Sequence, residues 1–277
     1  MPAPVELVIE GGPRPHVAQS LRELWAYRGT ILAFAERDCR LKYKQAVLGV
    51  AWAVLQPLAF MAIFTIMLGK LAKIPGGGVF YAAFSLSALI AWSYLQNAIS
   101  FGANALLADG ALMRKVYFPR EVPVLGAILS VGLDLAIGLV LFVAVGPFLG
   151  ARPSPAWLLA PLLGLLLAAL AAGVALTLAA FNVYYRDFRY ALPFALQLWL
   201  FASPVAYPLE VVPEGWRGLY VAVNPAAGVL DGFRRVLALG ELPDPSLLAV
   251  SLAGTLVVLL SSYRIFKRRE RHFADVV

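Results

Sequence analysis

The chain has 277 residues, of which 61% are hydrophobic and 14% are charged, and its formal net charge is +7. A soluble domain has roughly a quarter of its residues charged, so this composition excludes a soluble globular protein and indicates an integral membrane protein. The positive excess lies beside the apolar stretches, where anionic lipid headgroups also lie, so no nucleic-acid partner is needed to explain it.

The segment at residues 21–44 is predicted to form an amphipathic helix. Apolar residues recur among charged ones at helical intervals, which favours a helix lying at the membrane surface. An ordinary cytosolic helix packed on a partner would show the same pattern, and the two interpretations are compatible. Cys39 lies here and is the single cysteine of the chain, which excludes an intrachain disulfide. The interfacial candidates are Trp25, Arg28, Arg37, Arg40, Lys42 and Lys44.

Long uncharged runs predict six membrane-spanning helices. The first run, residues 45–69, contains 25 residues without a charge. An apolar helix of about 20 residues, rising about 1.5 Å per residue, crosses the hydrocarbon core. The predicted spans are residues 47–69, 79–101, 122–148, 155–181, 190–207 and 247–266. They divide the chain into a cytosolic N-terminus at 1–46, a transmembrane domain at 47–266 and a cytosolic tail at 267–277.

The distribution of basic residues predicts the orientation. With both termini in the cytosol, the inner segments hold 17 Lys and Arg residues and the outer segments hold 6. Basic residues remain on the cytoplasmic side during insertion, so the opposite orientation is rejected.

The loop after the second span, NALLADGALMRKVYFPREVP, is longer than a turn between two spans requires. Its pattern predicts a short amphipathic helix ending before Pro119. A solvated connector is one interpretation. The density of apolar residues on the cytosolic side instead favours a surface for a partner.

The outer stretch at residues 203–245 contains six prolines and two short apolar pieces, 219–223 and 226–239. These pieces are too short or too charged to span a membrane, yet too apolar for a free loop. We predict a re-entrant helix pair between the fifth and sixth spans, which forms an outer lid.

Catalytic chemistry has little support in the sequence, and we predict no catalytic residue, no metal ligand set and no bound cofactor. The two histidines, His16 and His272, lie in opposite tails, so they form neither a zinc motif nor a catalytic pair within the membrane. Asp134 lies near the middle of a predicted span, where it is either functional or held by hydrogen bonds between helices. No P-loop motif occurs, so any driving ATP must bind to a separate chain.

Several blocks in order resemble the membrane permeases of ABC-type polysaccharide exporters, and O-antigen export permeases in particular. The blocks are RLKYKQAVLGVAWAVLQPL at 40–58, KVYFPREV at 115–122, NVYYRDFRYALPFALQLWLFASPVAYPL at 182–209, VNPAAGVLDGFR at 223–234 and ERHFADVV at 270–277. The resemblance implies a homodimer in the bacterial cytoplasmic membrane, surrounded by membrane lipids. It also implies two copies of an ABC ATPase that bind ATP and Mg, and export of a lipid-linked polysaccharide.

The resemblance further implies that the loop after the second span docks into the ATPase, and that the interfacial helix lies beside the substrate portal. The ATPase-coupling residues would be Leu106, Leu107, Leu112, Met113, Arg114, Lys115, Val116, Tyr117 and Phe118. Aromatic rings suit a sugar channel because sugar C–H faces stack on them, although the same rings could pack between helices or face lipid. The channel candidates are Tyr81, Phe84, Trp92, Tyr94, Asn97, Asp134, Gln197, Trp199 and Phe201.

Other functions remain open at the level of sequence. The cargo could be another surface glycan, such as capsule or teichoic acid, because related permeases share these motifs. An intramembrane transferase that uses a polyprenyl lipid would show acids or histidines clustered at one membrane face, whereas here the acids are scattered. A passive channel or scaffold would not need a docking loop.

Overall fold

The computed structural model describes residues 17–44, 49, 51–73, 79–185 and 187–270, and within these ranges the chain is helical and contains no strand. The start of the first predicted span and the tail at 271–277 lie outside the described residues. The α-helices are α1 Val17–Ala26, α2 Arg28–Lys44, α3 Ala51–Phe64, α4 Tyr81–Ala108, α5 Gly110–Met113, α6 Glu121–Val145, α7 Ala160–Asn182, α8 Asp187–Phe201, α9 Glu214–Val223, α10 Pro225–Arg234 and α11 Pro245–Arg269.

Short helices of other types extend several of these elements. α3 and α10 continue as π-helices, and 3-10 turns follow α6, precede α7 and precede α9. The π-helices are Thr65–Leu71 and Arg235–Leu239, and the 3-10 turns are Gly146–Leu149, Pro155–Leu159 and Leu209–Val211.

Four helices of the described ranges are long and apolar enough to cross a membrane. They are Ala51–Leu71, Glu121–Leu149, Pro155–Asn182 and Pro245–Arg269, and they match the first, third, fourth and sixth predicted spans. The prediction of an all-helical membrane protein is confirmed at this level.

The second predicted span corresponds to α4, which is 28 residues long and lies at the centre of the bundle. It packs on α3, α6, α7 and α10, and most of its residues are buried. A helix that is surrounded by protein can carry serine and amide side chains such as Ser85, Ser87 and Asn97, because those groups need not face lipid. Its central position therefore explains how this helix accommodates polar side chains.

The fifth predicted span corresponds to α8, which has only 15 residues and ends at Phe201, earlier than predicted. The chain then turns through 202–208, where Pro204 and Pro208 oppose continuation of the helix. At about 1.5 Å per residue, such a helix is about 22 Å long, which is less than a hydrocarbon core of about 30 Å.

Two short helices, α9 and α10, occupy the predicted re-entrant region. α10 is wholly buried, and α9 is mostly exposed. The buried Arg234 joins α10 to the preceding turn, since its guanidinium donates to the carbonyl oxygens of Pro204 and Tyr207 and lies 3.9 Å from the ring centroid of Phe84. Asp231 lies 3.7 Å from the same guanidinium.

The predicted interfacial helix corresponds to α1 and α2, and α2 packs along the N-terminal half of α6. The contact is close at Gly126, where an added Cβ would lie 2.6 Å from Cβ of Phe34. A larger residue at Gly126 would therefore push α2 away from α6.

Candidate functional site

The loop between α4 and α6 presents one exposed face and one buried face. We call residues 109–120 the docking segment. Its exposed side chains include Leu112, Val116 at 55% and Tyr117 at 74% exposure, and Arg114 and Lys115 lie among them. An exposed surface that alternates large apolar and basic side chains is typical of a protein interaction site.

The buried face of the docking segment rests on α2. Phe118 is 3% exposed, and its ring packs edge-on against Phe34 with centroids 5.4 Å apart. Met113 is also buried, and Arg120 donates to its carbonyl oxygen at 3.1 Å. These contacts hold the exposed face in one orientation.

An ion pair joins the start of the docking segment to α2. Arg37 donates to both carboxylate oxygens of Asp109 at 2.6 and 2.8 Å, and its guanidinium stacks 4.5 Å from the Phe34 ring centroid. Donation of these hydrogen bonds to the Asp109 carboxylate raises the pKa of Arg37 above its usual value. Bidentate pairs of this kind fix orientation as well as distance.

A second ionic cluster holds the end of the docking segment against the last helix. Glu121, at the start of α6, is 1% exposed and lies 2.6 Å from Nζ of Lys267 on α11. Lys267 also lies 2.9 Å from Glu270, whose carboxylate accepts a hydrogen bond from the backbone N–H of Arg120. The docking segment is thus attached to α2 at one end and to α11 at the other.

A polar cavity lies beside the other end of α2. Lys42 donates to one carboxylate oxygen of Asp134 on α6, and Tyr43 donates to the other. The cavity has a volume of about 220 Å³ and opens between α3, α4 and α6. Its polar walls come from Lys42, Tyr43, Gln56, Ser93, Tyr94, Asn97 and Asp134. The Lys42 ammonium and the Tyr43 hydroxyl are held by Asp134, and the hydroxyl and amide groups of Gln56, Ser93, Tyr94 and Asn97 suit a hydroxylated ligand.

Comparison with known proteins identifies the family. Residues 30–238 match the ABC-2 type transporter family, which is more than half of the chain. The chain belongs to the ABC-2 type transporter family. The predicted relationship to ABC exporter membrane subunits is thereby confirmed.

The similar proteins of known role come from three bacteria. The chain is 28% identical to the O-antigen export system permease protein RfbA of Myxococcus xanthus, over 93% of this chain and 98% of that protein. It is 22% identical to RfbA of Klebsiella pneumoniae, over 89% and 94% of the two chains. It is 23% identical to the polysialic acid transport protein KpsM of Escherichia coli, over 87% and 93%.

The predicted coupling residues of this ABC-2 family member divide into two groups. Leu106, Met113 and Phe118 are buried and anchor the segment. The exposed group comprises Leu107, Leu112, Arg114, Lys115, Val116 and Tyr117. The roles of both groups stay predictions.

The predicted channel residues occupy three places. Tyr94, Asn97 and Asp134 line the polar cavity. Gln197 and Phe201 are exposed on α8. The remaining four pack against other helices of this chain and are Tyr81, Phe84, Trp92 and Trp199.

Each of those four aromatic side chains has a structural contact. The Tyr81 hydroxyl donates to the Ala206 carbonyl at 2.5 Å, and Phe84 stacks under Arg234. The Trp92 and Trp199 rings meet edge-on, with centroids 5.8 Å apart. The Trp199 indole also donates to Asn224 at 2.9 Å. These four aromatic side chains therefore pack between helices, which was the alternative to their lining a channel.

The predicted interfacial residues differ in the groups that they contact. Arg37 and Lys42 reach the carboxylates of other elements, as described above. Arg40 pairs with Glu36 on the same exposed helix face, and Arg28 stacks 5.2 Å from the ring centroid of the exposed Trp25. Lys44, at the end of α2, is exposed.

Sequence reasoning did not single out Tyr43, Asp109, Glu121 or Lys267 as parts of a site. Each is a partner in a contact between elements that are far apart in the chain. A usable signal existed for Asp134, because a carboxylate within a span needs a cation or a hydrogen-bond donor, and the basic run at residues 37–44 supplies both. Neither composition nor spacing identified which residues of the basic run would reach the Asp134 carboxylate.

Proposed function

We propose that this chain is the transmembrane permease of an ATP-driven exporter that moves a lipid-linked polysaccharide across the bacterial cytoplasmic membrane. Two copies form the pathway, and two copies of a separate ABC ATPase bind ATP and Mg and drive transport. Family membership supports the transporter class, and the names of the relatives support the cargo class.

The observation that carries the proposal is the two-faced docking segment. Its buried face is attached to α2, α6 and α11, so that a force on the exposed face reaches the membrane helices. Its exposed face offers Leu112, Val116 and Tyr117 to a partner. A scaffold or passive channel would have no use for such a mechanical attachment.

We propose six spans, with α4 and α8 added to the four apolar helices. α4 is long enough to cross and is covered by its neighbours. α8 crosses together with the turn at 202–208. Both termini, α2 and the docking segment then lie on the cytosolic side, and α9 and α10 form the outer re-entrant pair. The proposed division is a cytosolic N-terminus at 1–46, the transmembrane domain at 47–266 and a cytosolic tail at 267–277.

The cavity beside Asp134 is proposed as part of the substrate portal. It lies at the C-terminal end of α2, and it combines hydroxyl and amide groups beside the Lys42–Asp134 pair. A group such as the phosphate and first sugar of a lipid-linked glycan fits this chemistry. The proposed cargo is an O-antigen-like glycan. A capsular glycan is the second candidate, and the similarity to a polysialic acid transport protein favours it over teichoic acid.

The test is reconstitution of the chain with an ABC ATPase encoded beside its gene. We expect the two proteins to co-purify and the ATPase rate to rise on addition of a polyprenyl-linked glycan. Val116→Asp should abolish co-purification. Val211→Asp changes a similarly exposed valine (65%) on the proposed outer side and should leave it intact. Failure of the wild-type chain to bind any such ATPase would refute the proposal.

A further inference from the structure

One helix carries ionic contacts to two different parts of the molecule. Arg37 on α2 is paired with Asp109 at the start of the docking segment. Lys42 and Tyr43, about 8 Å further along the same helix axis, are paired with Asp134 in α6. Between these contacts, the Cys39 thiol donates to the Ser130 carbonyl of α6 at 3.3 Å.

α2 is suited to transmit displacement between these contacts. It is a single helix of 17 residues, Arg28–Lys44, without a break or an internal proline. Displacement of Asp109 therefore acts through Arg37 on the whole helix and reaches Lys42. The Phe34–Phe118 contact places the docking segment beside this ion pair on α2.

The far end of α2 closes the polar cavity. The described part of α2 contributes only Lys42 and Tyr43 to the cavity wall, and both are held by Asp134. The opposite wall belongs to α3, most of whose residues are not buried within this chain. Separating Lys42 and Tyr43 from Asp134 would widen the cavity on the side that faces the cytosol.

We propose that α2 is a lever that couples the docking segment to the cavity. The Arg37–Asp109 pair is its driven end, and the contact of Lys42 and Tyr43 with Asp134 is a latch that opens when the docking segment moves. This inference rests on the proposed function, because the partner ATPase moves the docking segment. The latch stays closed otherwise, since a carboxylate and an ammonium at this depth are costly to separate.

Cys39 provides a built-in probe of the lever. It is the only cysteine in the chain and lies on the face of α2 that contacts α6. Movement of α2 away from α6 exposes its thiol to N-ethylmaleimide. Burial and the nearby Asp134 carboxylate raise the pKa of Cys39. Because the thiolate is the reactive form, each labelling rate is measured over a series of pH values and divided by the fraction of thiolate.

The experiment measures Cys39 labelling in the permease–ATPase complex, with a cysteine-free ATPase. We expect labelling to be at least threefold faster with a non-hydrolysable ATP analogue than without nucleotide. Asp109→Asn should remove this acceleration and retain the slow rate. Asp134→Asn should give the fast rate without nucleotide, and the swap Lys42→Asp with Asp134→Lys should restore the slow one.

Glu36→Gln is the matched control, since it breaks the exposed Glu36–Arg40 pair on the same helix and should change neither rate. A complex that hydrolyses ATP while Cys39 labels equally in both states overturns the lever and leaves the proposed function standing. An Asp109→Asn variant that keeps the full acceleration also overturns it. A chain that binds no ATPase overturns both.

Discussion

Arg37 and Asp109 are separated by 72 positions in the chain, yet two hydrogen bonds of 2.6 and 2.8 Å join them. The pair places the start of the docking segment on the interfacial helix. Together with the Glu121–Lys267 pair, it joins α2, the docking segment and the ends of α6 and α11 into one packed assembly.

Loss of the Arg37–Asp109 pair should lower the free energy of unfolding modestly. Asp109→Ala leaves Arg37 with Asp38 as its remaining partner, and Arg37 is partly solvated, so we expect a loss of about 1 kcal/mol. In a chain of this size, that corresponds to a fall of about 2–4 °C in the unfolding temperature of the purified protein. Glu36→Ala, which breaks the exposed pair with Arg40, should change the unfolding temperature by much less. Equal effects of the two changes would contradict a special role for Asp109.

The latch at Asp134 should show strong coupling between its two charges. Asp134→Leu leaves Lys42 partly buried without its carboxylate and is expected to cost about 3–5 kcal/mol. The double variant Lys42→Met with Asp134→Leu removes both charges and should recover most of that loss. The measurement is a double-mutant cycle on thermal unfolding in detergent. Additive effects of the two single changes would show that the pair is not coupled.

Two neighbouring aromatic residues should separate anchoring from docking. Phe118→Ala removes a buried ring from its contact with Phe34 and should cost about 3–5 kcal/mol of stability. Tyr117→Ala changes an exposed ring and should leave the unfolding temperature unchanged while it weakens ATPase binding at least tenfold. Thermal unfolding and a pull-down with the ATPase distinguish the two. The prediction fails if Tyr117→Ala binds the ATPase normally.

Two glycines of α6 should respond in opposite directions to alanine. An added Cβ at Gly126 would lie 2.6 Å from Phe34 and force α2 outward, which is expected to cost about 1–3 kcal/mol. At Gly132 no other atom lies within 4 Å of an added Cβ, so alanine should stabilise the helix by up to about 1 kcal/mol. Unfolding temperatures of the two variants test this difference. A neutral Gly126→Ala would show that α2 does not pack closely on α6.

The sequence could predict a helical membrane protein and four of its apolar helices. These features depend on the free energy of transferring side chains from water to lipid, which is summed over local segments. The orientation of the basic segments, and the roles of the interfacial helix and the docking segment, stay predictions. The bounds of α8 were less accurate, because the end of that helix depends on the turn at 202–208, which Arg234 of α10 holds.

Partner choice was decided only by the tertiary structure. Arg37, Arg40 and Lys42 are all basic residues of one short segment. Arg37 binds Asp109 of the docking segment, Arg40 pairs with Glu36 within α2, and Lys42 reaches Asp134 on α6. Likewise, Trp92 and Tyr94 are both aromatic residues on α4, but one packs against Trp199 and the other lines the cavity. Hydropathy and charge determine which segments enter the membrane. Which face of each helix meets which neighbour depends on the packing of helices that are distant in the chain, and that packing determined the lever and its cavity.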